Sequence, residues 1–145
     1  MPHFTLRRAE ARDSSELASC IDAAYSIYAE TIDDLPDVSG GIATAIERSR
    51  VWIAELGPRV AGGMVLVPHD SYLILENIAV RPECAGLGVG RALINQAEQD
   101  GVELGLTEIR ISTHEDMPQN VAIYSRLGWI ETGRSGNKVH MSKKI

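Results

Sequence analysis

Leu75 to Arg91 read LENIAVRPECAGLGVGR. An apolar, β-prone run ends at Arg81-Pro82. A short turn follows, then glycines at alternate positions, Gly86, Gly88 and Gly90, and then a helix-like sequence from about Arg91. A glycine-rich loop between a strand and a helix start turns several backbone N–H groups towards one point. The first-turn amides have no partner inside the helix, and the helix dipole adds positive potential there. The loop therefore reads as an anion site, with phosphate or pyrophosphate as its guest.

Working outward, 145 residues suit one domain, 1–145, with a sizeable core. Hydrophobic residues make up 44% and charged residues 23%, as in ordinary globular chains. A net charge of −6 argues against nucleic acid as partner. No apolar run reaches the length of about 20 residues needed to span a bilayer, so no membrane association is expected. The first residues, MPHFTLRRAE, do not resemble a signal peptide. Cys20 and Cys84 lack metal or redox spacing, and a reduced cytoplasmic setting is the expectation. His3, His69, His114 and His140 are scattered, so no metal is expected. From Glu10 to Asp37 there are eight acids against one Arg12. That run reads as a solvated face or, more sharply, as an acidic rim that attracts a cationic substrate.

Phe4–Arg8 reads as a first strand. Asp13 with Glu16 suggests a capping box before an amphipathic helix that carries Leu17, Cys20, Ile21, Ala24, Ile27 and Tyr28. A second helix is expected over Ile42–Ser49, and strands over Val51–Leu56, Val60–Val67 and Tyr72–Val80. The helix after the glycine loop spans Gly88–Glu103 and buries Leu93, Ile94, Ala97 and Val102. A strand follows at Glu108–Ser112. Pro118 starts a helix that ends near Leu127-Gly128, and two strands, Trp129–Thr132 and Lys138–Ser142, close the chain. The order β-α-α-β-β-β-α-β-α-β-β is an α/β (α+β) arrangement: a mixed, mostly antiparallel sheet flanked by helices.

The loop lacks the Lys-Ser or Lys-Thr of a Walker P-loop. It follows a meander of hairpins rather than opening a βαβ unit, which disfavours a dinucleotide fold. Alternate glycines also serve simply to pack a helix closely on a sheet. The segment Ile78–Leu93, IAVRPECAGLGVGRAL, resembles the acyl-CoA loop of the GNAT superfamily of N-acetyltransferases, and Asn120–Trp129, NVAIYSRLGW, resembles its last core helix and the strand beyond. The element order agrees over nearly the whole chain. Two positions depart from the pattern: Ala85 stands where the superfamily usually has Arg or Gln, and Met117 where it often has Asn.

The resemblance implies acetyl-CoA as cosubstrate and a primary amine as acceptor; a protein N-terminus, a lysine side chain and an antibiotic stay open, and the short chain and acidic N-terminal third favour a small-molecule amine. It would place the pyrophosphate on the amides of Ala85, Gly86, Leu87, Gly88, Val89, Gly90 and Arg91. The pantetheine arm would run along Ile78, Ala79 and Val80, with Asn120 as a further contact. It also implies Tyr124 as the group that protonates the departing sulfur. Tyr25, Tyr28, Asp33 and Asp34 would border the acceptor, with Tyr28 and Asp34 as binding residues. An alkylamine of pKa near ~10.4 must lose a proton before attack. Glu76 lies on the strand expected to hold the cofactor arm, and alternation puts it on the face of Ile78 and Val80, amid apolar neighbours. It reads as a base or an ammonium anchor, while Asn77 points the other way and is structural. His114 is expected in solvent, and Cys84 and Trp129 in the core. Edge strands allow a homodimer. The alternative reading is a non-catalytic CoA-binding or regulatory module of the same fold.

Overall fold

The computed structural model describes residues 3–29 and 41–145. Its elements are β1 (Thr5–Arg8), α1 (Ser14–Ala29), α2 (Ile42–Arg48), β2 (Arg50–Leu56), β3 (Arg59–Pro68), β4 (Tyr72–Val80), α3 (Val89–Glu103), β5 (Glu108–His114), α4 (Pro118–Arg126), β6 (Ile130–Ser135) and β7 (Lys138–Lys144). Short 3-10 turns cover Ala11–Asp13 and Pro82–Cys84. The seven strands form one sheet in the order β1-β2-β3-β4-β5-β7-β6. Every pairing is antiparallel except β4 with β5.

Apolar side chains pack on both faces. On one, Leu17, Cys20 and Ile21 of α1 and Ile42 of α2 meet Val51, Ile53, Val65 and Ala79. On the other, Leu93, Ile94 and Ala97 of α3 and Tyr124 of α4 meet Met64, Leu66, Leu73, Leu75, Ile109 and Ile111. Adjacent glycines on β3 let both helix layers approach. A Cβ at Gly62 would lie 2.8 Å from Val89 Cγ1, and one at Gly63 would lie 2.5 Å from Leu17 Cδ1. These contacts are closer than a real Cβ tolerates, so both residues must stay small.

Three expectations about the elements need correction. Asp13 does not cap α1 with Glu16. Its carboxylate takes both Arg7 guanidinium nitrogens at 2.9 Å and accepts the Glu10 N–H at 2.7 Å. Glu16 instead accepts the Val60 N–H at 3.0 Å, tying α1 to β3. Val102 is 62% exposed, because the helix face that meets the sheet there carries Asp100 and Gly101. Buried Asp100 accepts from Trp52 Nε1 at 2.7 Å and Gln96 Nε2 at 2.9 Å and pairs with Arg50 at 3.1 Å, which pins α3 to β2. The acidic run is also partly structural: Asp13 and Glu16 hold the fold, and Glu10 pairs with Arg12 at 2.6 Å. Asp33 lies outside the described residues.

A bulge in β4 positions the site. Val65 pairs with Asn77 and the next residue, Leu66, with Leu75, so Glu76 is the extra residue. Leu73, Leu75, Ile78 and Val80 all join the α3-side cluster, whereas Ala79 packs with α1. In an unbroken strand, residues 75 and 78 would face opposite ways. The bulge shifts the alternation by one and leaves Glu76 and Asn77 together on the α1 face. Alternation alone put Glu76 with Ile78 and Val80, and the inserted residue overturns that placement.

Candidate active site

β4 and β5 pair only from Tyr72↔Glu108 to Leu75↔Ile111. Past the bulge, β4 stays on β3 to Val80, while β5 follows β7 to His114↔Lys138. The strands splay, and among the described residues β4 from Glu76 to Val80 has no strand partner on its β5 side. A cavity opens at each end of the gap. On the α1 side, about 360 Å³ is lined by Tyr25, Glu76, Asn77, Ser112, His114, Asn137 and Lys138, among others. On the α3–α4 side, about 510 Å³ is lined by Gly90, Arg91, Ile94, Ile123, Arg126 and Leu127. Ile78, Ala79, Val80, Asn120 and Tyr124 belong to both walls. These volumes are typical of small-molecule sites.

The glycine loop leads into the α3–α4 side, whose wall includes Gly90 and Arg91 at its end. Gly86 and Gly88 have φ of 83° and 85°, and a Cβ at either would meet nothing within 4 Å. Backbone conformation is what requires glycine here. Gly88 is the N-cap of α3, and the first helical bond runs from Ala92 N to Gly88 O at 3.0 Å. Among the described residues, the amides of Gly86, Leu87, Gly88, Val89, Gly90 and Arg91 donate to no acceptor. Ala85 differs, since its N–H donates to Pro82 O at 3.2 Å and is committed to the 3-10 turn. The free donors thus begin at Gly86, one residue later than the sequence suggests. Arg91 and Arg126 line the same cavity and have no ion pair among the described residues. Free amides, two free guanidiniums and an open strand edge fit a phosphate-bearing chain such as CoA.

Tyr124 stands where the cavities meet. It is 7% exposed, and its ring lies 5.7 Å from that of Trp129, which is buried in the core as expected. Burial pushes the phenol well above its ordinary pKa, and nearby Tyr25 adds to the shift. The group therefore keeps its proton at neutral pH, and its hydroxyl makes no hydrogen bond among the described residues. Asn120 donates Nδ2 to Thr113 Oγ1 at 3.3 Å and to Met117 Sδ at 3.5 Å, which leaves Oδ1 for a ligand N–H.

Glu76 is exposed at the cavity wall, not desolvated among apolar neighbours. Asn77 lines the same cavity beside it. His114 is buried, contrary to the solvent position expected for it. Its Nδ1 accepts the Asp116 N–H at 3.1 Å, so a neutral ring carries its proton on Nε2 and acts as a donor there. Cys84 is buried beneath the loop, as expected. The Tyr28 side chain and Asp34 lie outside the described residues. Among the described residues, no three His, Cys, Asp or Glu gather as a metal site, and no helix is long and apolar enough to cross a membrane. Sequence reasoning missed Arg126, Lys138 and the placement of His114. Arg126 lies inside NVAIYSRLGW and was within reach, while the other two depend on the β5–β7 register.

Comparison with known proteins gives the same assignment. The Acetyltransferase (GNAT) family profile matches residues 17–129. No curated protein sequence matches the chain. Its structure is similar to PaiA N-acetyltransferase from Thermoplasma acidophilum, solved in complex with coenzyme A, with TM-score 0.90, 17% identity and 99% of each chain covered. It is also similar to the ribosomal-protein-S18-alanine N-acetyltransferase from Escherichia coli, with TM-score 0.81, 19% identity and coverage of 99% of this chain and 94% of that one. A GNAT-family acetyltransferase from Listeria monocytogenes gives TM-score 0.79 at 20% identity, over 98% of this chain and 95% of that one. At these identities the structural likenesses speak for the fold, and the profile match over most of the chain speaks for descent. The chain belongs to the GNAT family of acetyltransferases.

Proposed function

We propose that this acetyltransferase moves the acetyl group of acetyl-CoA onto the nitrogen of a small-molecule primary amine by direct attack on the thioester. The observation that carries the reading is the junction at Tyr124. A phenol with no hydrogen bond among the described residues stands in the wall shared by a cavity that reads as an anion site and a carboxylate-bearing one. Two of the fold neighbours being N-acetyltransferases, one holding coenzyme A, supports it.

In this reading the amides of Gly86 to Arg91 hold the pyrophosphate, and Arg91 and Arg126 pair with phosphate oxygens. The pantetheine arm lies along Ile78, Ala79 and Val80, where β4 has no neighbour on its β5 side among the described residues, and Asn120 Oδ1 accepts from one of its amides. The amine enters from the α1 face. Glu76 takes its proton, directly or through water, and the nitrogen lone pair attacks the carbonyl carbon. The C–N bond forms, the C–S bond breaks, and its electron pair leaves on sulfur. A phenol raised by burial is a weaker acid than a thiol of ordinary pKa, about 8.5. Full transfer from Tyr124 to the thiolate is therefore uphill. Tyr124 stabilises the developing charge as a hydrogen-bond donor, and the proton released by the amine closes the balance.

The test is thiol release from acetyl-CoA with and without primary amines, with the acetylated amine identified by mass. Amine-dependent release is the expected result. CoA binding with no amine-dependent release would leave a binding module in place of an enzyme.

A further inference from the structure

The α1-side cavity carries two opposite charges that the fold does not use. Glu76 and Lys138 both line it, both are exposed, and among the described residues neither side chain has a hydrogen bond or an ion pair. Their positions follow from the sheet. Glu76 is on the α1 face because of the bulge. Lys138 pairs in register with His114, which alternates with Thr113, the residue held by Asn120 of α4, so Lys138 and His114 share the α1 face. Next along β7, Val139 is buried in the opposite cluster, which fixes the direction of Lys138 independently. Glu115, an acid nearby, has Arg134 as a neighbouring cation.

An ammonium left unpaired at the wall of an acceptor site attracts a negative group. We propose that the acceptor is an amine that also carries an anionic group, a carboxylate in the simplest case. Lys138 holds the anion while Glu76 faces the amine. This rests on the N-acetyltransfer reading above and narrows its substrate class to amino acids and related amino-carboxylates. A cavity of about 360 Å³ accommodates a molecule of that size beside the acetyl group. A diamine would place its second ammonium against Lys138 and be disfavoured.

The test compares, at each chain length from glycine to 6-aminohexanoate, the amino acid, its amide and the diamine, by thiol release from acetyl-CoA. In the wild-type protein kcat/KM should fall in the order acid, amide, diamine. Lys138→Gln should lower the acid-to-amide ratio by about tenfold, mainly through KM for the acid. Lys138→Arg should keep the ratio, and Lys138→Glu should bring the diamine ahead of the acid. Reading the ratio across variants cancels the difference in basicity between an acid and its amide. Amines acetylated with no acid preference, or with a ratio indifferent to residue 138, would overturn this inference and leave N-acetyl transfer standing. No release with any amine would remove both.

Discussion

On the α3–α4 side of the β4–β5 gap, the groups open to a ligand are mostly backbone: amides from Gly86 to Arg91 and the open edge of β4, with Arg91 and Arg126 beside them. On the α1 side they are side chains, Glu76, Asn77, His114 and Lys138, gathered from a bulge, a strand end and a hairpin. Backbone donors recognise a constant ligand and tolerate sequence change as long as the conformation holds. Side chains on separate elements can be exchanged one at a time. The first side suits a common cosubstrate and the second a particular acceptor, which is how one fold can serve many acceptors.

The largest effect should come from the backbone side. Gly88→Val forces a β-branched residue to φ of 85°, and the amide cradle should be lost with it. CoA affinity measured by calorimetry should fall about 10²-fold. Gly90→Ala is the control, because Gly90 has no positive φ and its Cβ would sit 3.6 Å from Val80 Cγ2, an ordinary contact. Equal loss in both variants would mean that space, rather than conformation, is what the loop requires.

At the junction, Tyr124→Phe keeps the ring against Trp129 and removes the donor. We expect kcat to fall by ~10² with CoA Kd nearly constant. An intact kcat with lower thermal stability would make Tyr124 a core residue only.

On the side-chain side, Glu76→Gln should act on the amine alone. If Glu76 is the base, the wild-type pH–rate profile has an acidic limb that the variant lacks, with kcat lower by ~10-fold or more. If it only anchors the ammonium, KM for the amine rises instead. Matching profiles and equal KM would assign it neither role.

Away from the gap, Asp13→Asn should leave both cavities alone and cost about 1–2 kcal/mol of stability through the lost charge-assisted bonds to Arg7. Those bonds, more than any other cause, hold the Asp13 carboxyl below its ordinary value of 3.8. The stability they provide is present above that pH and lost as pH falls towards the depressed native value. Thermal melts between pH 3 and 7 should show a shallower acid slope in the variant.

The sequence carried the backbone side more fully than the other. Alternate glycines after a β-prone run, Pro118 ahead of a helix and Gly128 behind it are local signals with direct conformational causes, and element bounds matched within a few residues. The α1 side was obscured by long-range pairing. A single extra residue in β4 has no local signature, yet it moved Glu76 and Asn77 to the same face. His114 is buried and Lys138 stands beside it because β5 parts from β4 after Ile111 while still paired with β7, a choice made by tertiary packing. Asp13 looked like a cap since its partner, Arg7, lies on the preceding strand.

The central claim is that CoA occupies the α3–α4 side of the gap and leaves the α1 side for the acceptor. Backbone amide shifts of the labelled protein, followed by NMR as CoA is added, test it most directly. The account predicts the largest changes at Gly86–Arg91 and Ile78–Val80, with Lys138 little affected. Changes centred on His114 and Lys138, with the glycine loop unmoved, would contradict it.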